Sequence, residues 1–176
     1  MRHVVAENVW HLILTTNCAM ALLRLRRSEE ALELARSHPD RVRYTYWGDT
    51  LAYVEALALA QLGRHDQADL VLEPSIQRVL GSTHAGHRSD LLLVCAWVAV
   101  AAGRRDDAAD LLAHPVATRG PHTLQLCRDL EPATGVDVVS VPAGERVDDI
   151  ESPLAPLLEA ELERIRATAA TPESGS

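Results

Sequence analysis

The chain has no lysine and no phenylalanine, and all 17 of its Lys-or-Arg positions are arginine. Without lysine it forms no substrate Schiff base and carries no phosphate-loop lysine, which removes two broad classes of enzyme. Aromatics are scarce, at three Trp and three Tyr in 176 residues. The three cysteines are an odd number without close spacing, which fits reduced thiols in a cytoplasm better than a disulfide framework. The longest apolar run, Leu91 to Ala102, falls short of the roughly 18 residues a membrane span needs. Glu7, Asn8 and His11 interrupt the N-terminus where a secretion signal would be uniformly apolar, so none is expected. A net charge of −8 lacks the basic excess that nucleic acid or an anionic membrane surface would require, so neither is expected as a partner.

Alanine and leucine dominate instead. An apolar share of 47% with 24% charged residues describes a globular chain long enough to bury a real core. Three stretches align: NCAMALLRLRRSEEALELA (17–35), VEALALAQLGRHDQADLVL (54–72) and VCAWVAVAAGRRDDAADLL (94–112). Ala19, Ala56 and Ala96 fall in register, as do Ala31, Ala68 and Ala108, with offsets of 37 and then 40 residues. Self-similarity at that period marks stacked helical hairpins, none able to bury its apolar face alone.

Apolar spacing predicts helices near 4–25 and 28–37, then 48–62 and 65–73, then 87–102 and 105–113. Arginine closes each first helix (Arg26 and Arg27, Arg64, Arg104 and Arg105), and an acid opens each second (Glu29 and Glu30, Asp66, Asp106 and Asp107). Both arrangements complement the helix macrodipole, so these charges need no catalytic role. Gly63 and Gly103 stand at the turns, and Pro39, Pro74 and Pro115 are expected to end the second helices. Beyond 115, a short helix is predicted from His122 to Glu131, stopped by Pro132. Val136 to Val141 is strand-like without a visible partner, and Pro142 to Ser152 reads as an exposed linker. A last amphipathic helix places Leu154, Leu157, Leu158, Leu162 and Ile165 on one stripe. The expected organisation is helical repeats over 1–115, an irregular segment over 116–152, a C-terminal helix over 153–169 and a disordered tail over 170–176.

The block Ala-x-Leu-x-x-Gly-Arg-x-x-x-Ala-x-x-x-Leu, clearest from Ala58 to Leu72, resembles the tetratricopeptide repeat, and the likeness covers roughly 12–115. Two features depart from that family: the aromatic after the turn is missing, and the prolines come early. The resemblance implies an all-α fold of antiparallel helical hairpins stacked as a short α-solenoid that binds proteins or peptides. It assigns Thr16, Met20 and Leu23, then Tyr53, Leu57 and Ala60, then Leu93, Trp97 and Val100 to a concave surface. Such a groove would exceed the apolar patch a soluble monomer normally exposes. The chain's own C-terminal helix, a second copy of the chain or a partner's amphipathic helix is expected to cover it.

Arg41, Arg43, Tyr44, Tyr46 and Trp47 form the densest cationic and aromatic cluster, suited either to packing the entry of the second hairpin or to a protein-binding hot spot. His84 and His87 read as a polar loop, because no carboxylate shares zinc spacing with them. Cys18 and Cys95 share one repeat position and are expected to be buried, with Cys127 more exposed. Asp148, Asp149 and Glu151 read as a solvated charge run. No catalytic constellation, metal set or cofactor motif is present, so an enzyme is not expected. The expected function is a protein–protein interaction module working through the apolar groove. The alternative is a sensor holding a small apolar ligand near Tyr53 and Trp97. The long first helix lacks a polar capping unit, which suggests self-association or a place within a larger helical regulator.

Overall fold

The structure is a computed structural model that describes residues 2–38, 45–81, 88–118, 121–138, 140–142 and 152–170. Among these residues it is almost wholly helical, with eight α-helices. They are α1 (Arg2–Arg24), α2 (Ser28–Arg36), α3 (Thr45–Gln61), α4 (His65–Leu80), α5 (Arg88–Ala101), α6 (Arg105–Leu111), α7 (Pro121–Thr134) and α8 (Ala155–Ala170), the last preceded by a 3-10 turn at Ser152–Leu154. The chain divides into two compact units, Met1–Val71 and Leu72–Ser176.

The three aligned stretches share one turn geometry. In each, a residue with positive φ follows the first helix: Arg26 at 59°, Gly63 at 75° and Gly103 at 79°. The next residue donates its N–H back five positions, Arg27 to Leu22 (2.9 Å), Arg64 to Leu59 (2.9 Å) and Arg104 to Ala99 (2.8 Å). The positive-φ residue itself donates back three positions, to Leu23, Ala60 and Val100. This is the paired-bond left-handed cap that satisfies the last carbonyls of a helix. The same arginine carbonyl then accepts from Ala31, Ala68 or Ala108, which starts the second helix. Ala19, Ala56, Ala96, Ala31, Ala68 and Ala108 are all fully buried. Small side chains thus stand enclosed at all six aligned places.

In the first unit α1, α2 and α3 pack on one another. Helix α3 is buried at every position from Leu51 to Ala60, Glu55 included, so it is the unit's central element. Helix α2 runs antiparallel to it and is clipped at both ends. Ser28 Oγ donates to Gln61 Oε1 at 2.6 Å, and Arg36 Nε donates to the buried Glu55 Oε1 at 2.7 Å. At the turns Arg27 pairs with Glu30, and Arg104 with Asp107 at 3.1 Å. Position 67 is Gln, so Arg64 has no acid three residues on, and it reaches Glu29 at 2.9 Å instead. Three pairs thus join six of the charges at the turns.

The centre of the second unit is α5, buried from Ser89 to Ala99 except at Asp90 and Trp97, with α6, α7 and the C-terminal helix α8 packed against it. Leu154, Leu158, Leu162 and Ile165 are buried, so the sequence stripe is the face that docks. A buried Glu161 on the same helix is held by a two-pronged bond from Arg164, at 2.7 and 2.8 Å.

Three sequence expectations need correction. Pro74 does not end its helix: α4 continues through it to Leu80, because Ser75, Ile76 and Val79 are buried and hold the next turns in place. Pro132 likewise lies inside α7, which ends at Thr134, and Gly135 (φ 74°) donates to the Glu131 carbonyl there. The strand-like stretch near 136–141 does have a partner. Strand β2 (Ser140–Pro142) pairs in parallel with β1 (Val116–Thr118), in register Val116 to Ser140, and α7 forms the crossover that a parallel pair requires.

Candidate interaction surface

The residues assigned to a concave groove are mostly not on the open surface. In the first unit Thr16, Met20, Leu23, Tyr53, Leu57 and Ala60 are buried. In the second, Leu93 is buried, while Trp97 and Val100 are half-buried. An open apolar groove is therefore not what these positions form. The covering is local: α3 lies against both α1 and α2, and α5 against α6, α7 and α8. The C-terminal helix packs on α5.

Of the second cluster, Arg41, Arg43 and Tyr44 lie outside the described residues, as do the side chains of Tyr46 and Trp47. His84, His87, Asp148, Asp149 and Glu151 also lie outside them. Among the described residues no group of three His, Cys, Asp or Glu side chains could hold a metal ion, and no helix is long and apolar enough to cross a membrane.

The cysteine expectations are reversed at two of three places. Cys95 is buried as expected, but Cys18 is exposed and Cys127 buried. The aligned register sets Cys18 and Cys95 at the same step of their helices, yet α5 is enclosed on nearly all sides and α1 on one. Burial pushes the Cys127 thiol up to about 11, with Glu131 and Asp90 adding to the effect, so it is a neutral, unreactive group near pH 7.

Exposed apolar side chains concentrate on α1. Trp10 is 65% exposed, Leu14 60% and Leu25 67%. Leu25 follows the helix directly and still donates to the Ala21 carbonyl at 3.1 Å, so it continues the same spiral. Cys18 and Ala21 are exposed too. At about 100° per residue, positions 10, 14, 18, 21 and 25 fall within about 80° of the helix circumference. They make a stripe about 22 Å long at about 1.5 Å per residue. The opposite face carries Leu12, Thr16, Ala19, Met20 and Leu23, all buried. Helix α1 is thus apolar on two opposed faces, and among the described residues only one of them is buried.

No family model, curated protein or solved structure matches the chain.

Beside the stripe, His11 meets His38 edge to face, with ring centroids 4.8 Å apart, and Thr15 Oγ1 lies 3.0 Å from His38 Nε2. These contacts fix the end of α2 against α1. Burial, and then the neighbouring His11, lower the His38 pKa below the usual histidine value. A shallow cleft of about 300 Å³ opens at the first turn, lined by Arg26, Arg27, Ser28, Glu29, Glu30, Gln61 and Leu62. Its lining is polar and internally paired, with Arg27 on Glu30 and Ser28 on Gln61.

The outer stripe was open to sequence reading and was missed. Leu12, Ala19 and Leu23 supply one apolar period, and Trp10, Leu14 and Leu25 supply a second phase on the same spiral. The signal was there: between Arg2 and Arg24 the only acid is Glu7, and the polar residues are too few to form a wet face.

Proposed function

We propose that the protein is a protein–protein interaction module, a tetratricopeptide-like stack of helical hairpins that docks through the outer face of α1. The observation that supports this reading is the stripe of Trp10, Leu14, Cys18, Ala21 and Leu25. Three large side chains, each about two-thirds exposed, reach the few hundred Å² at which apolar patches on soluble proteins stop being incidental. Tryptophan flanked by aliphatic residues is also the composition of binding hot spots. The repeated turns and buried alanines supply a rigid frame for that face, and the module works in the cytoplasm with its thiols reduced. The apolar-ligand reading has less support, since Tyr53 is buried and the cleft at the first turn is lined mainly by charged and polar side chains.

The test compares two baits, the intact chain and a Leu14→Glu, Leu25→Glu double variant, in capture from lysate of the source cell. Proteins held by the first and lost by the second are expected. Identical sets on both baits would remove the α1 face from any docking role.

A further inference from the structure

Resting on that reading, we propose that the occupant of the outer α1 face is a second copy of the chain, with the two α1 helices antiparallel about a twofold axis near residues 17 and 18. A twofold interface presents the same patch from both sides, so the patch must complement itself. This one does. The stripe runs Trp10, Leu14, Cys18, Ala21, Leu25, with its bulk at the ends and small residues in the middle. Laid antiparallel on its copy, Trp10 of one chain meets Leu25 of the other, Leu14 meets Ala21, and Cys18 meets Asn17. The inner pairs set a large residue against a small one, which is the interdigitation that close helix packing needs. With Ala21 and Cys18 at the middle, the axes can come to the lower end of the usual range of about 8–10 Å.

Charge permits the pairing. From Asn8 to Leu23 the chain has no Asp, Glu or Arg, so two such helices meet without like-charge repulsion despite the net charge of −8 on each chain. A charged partner would find nothing on this stretch to recognise. Antiparallel alignment also opposes the two helix macrodipoles favourably. Area sets the strength. A standard interface removes about 800 Å² per partner. Three large side chains about two-thirds exposed, with Cys18 and Ala21 between them, fall below that. The dimer is therefore weak and concentration-dependent, dissociating on dilution.

The full chain is examined by sedimentation velocity across a hundredfold range of concentration, beside Leu14→Glu and a control, Leu70→Glu, whose leucine is 54% exposed on α4. The intact chain and the control are expected to shift from monomer to dimer as concentration rises. Leu14→Glu should weaken association at least tenfold while circular dichroism stays unchanged. A short bis-maleimide is expected to give a covalent dimer of the intact chain through Cys18, the exposed thiol, and none of Cys18→Ser. A monomer at every concentration overturns the second-copy proposal, as does a dimer that Leu14→Glu leaves intact. If Leu14→Glu fails to fold, the cross-link on the intact chain decides, and its absence overturns the antiparallel pairing. A monomeric chain that still loses captured proteins on the double substitution would sink this proposal and leave the docking face standing.

Discussion

Helices α1 and α5 are both rich in apolar residues and have opposite fates. Both are apolar nearly all round, and Leu91 to Ala102 is the greasiest run in the chain. The later segments wrap α5: α6, α7, the short β1 strand and α8 all lie against it, and even its Cys95 is buried. Helix α1 receives α2 and α3 on one face, while Trp10 and Leu14 on the other stay open. An apolar helix needs cover, but composition does not say whether the same chain provides it. A helix without that cover within its own chain is a place to look for a partner.

The largest effect should come from thinning the cover of α5. Leu158 is fully buried on α8, and Leu158→Ala should cost about 3 kcal/mol, lowering the urea midpoint without changing its slope. The matching change on the open face, Leu14→Ala, should cost less than about 0.5 kcal/mol in dilute, monomeric protein. Equal losses would erase the contrast between the two helices.

A smaller effect sharpens the comparison of the turns that close α1, α3 and α5. Arg26 occupies the left-handed position that glycine fills twice, at a cost of roughly 1–2 kcal/mol for a residue with a Cβ. Part of that strain is offset because Arg loses less backbone freedom on folding than Gly does. Arg26→Gly should therefore stabilise the chain by about 0.5 kcal/mol. Gly63→Ala and Gly103→Ala should each destabilise it by about 1 kcal/mol. Nothing crowds a Cβ at either glycine, so that loss is purely conformational. Melting temperatures of the three variants test the ordering. A less stable Arg26→Gly would mean that the arginine side chain contributes more than its backbone costs.

The smallest effect lies where α2 meets α1. The His38 pKa is lowered in the folded chain, so the unfolded chain binds its proton more readily. That difference makes stability rise with pH across the histidine range and fall as pH drops through it. His38→Gln should flatten the change in urea midpoint between pH 7.5 and pH 6. An unaltered profile would mean that His38 titrates alike in both states.

The three turns were legible because their signals are local. Alanine in register, an arginine at each turn and an acid just beyond it all act within ten residues, and the three caps and six buried alanines followed. The early stop at Pro74 was misread because a proline removes one hydrogen bond from a helix, while burial of Ile76 and Val79 keeps the following turns helical. The partner of Val136 to Val141 was hidden because β1 is only Val-Ala-Thr, too short to show an alternating pattern. Cys18 and Cys95 share a register but not a neighbourhood, so period alone misplaced one of them.

By itself, then, the sequence determined most of the helices, their turns and the small residues that end up enclosed, because hydrogen bonding and side-chain size act between near neighbours. Which apolar faces end up dry was decided only in the tertiary structure. Cover for α5 arrives from later segments, α7 and α8 among them, whereas among the described residues Trp10, Leu14 and Leu25 stay exposed.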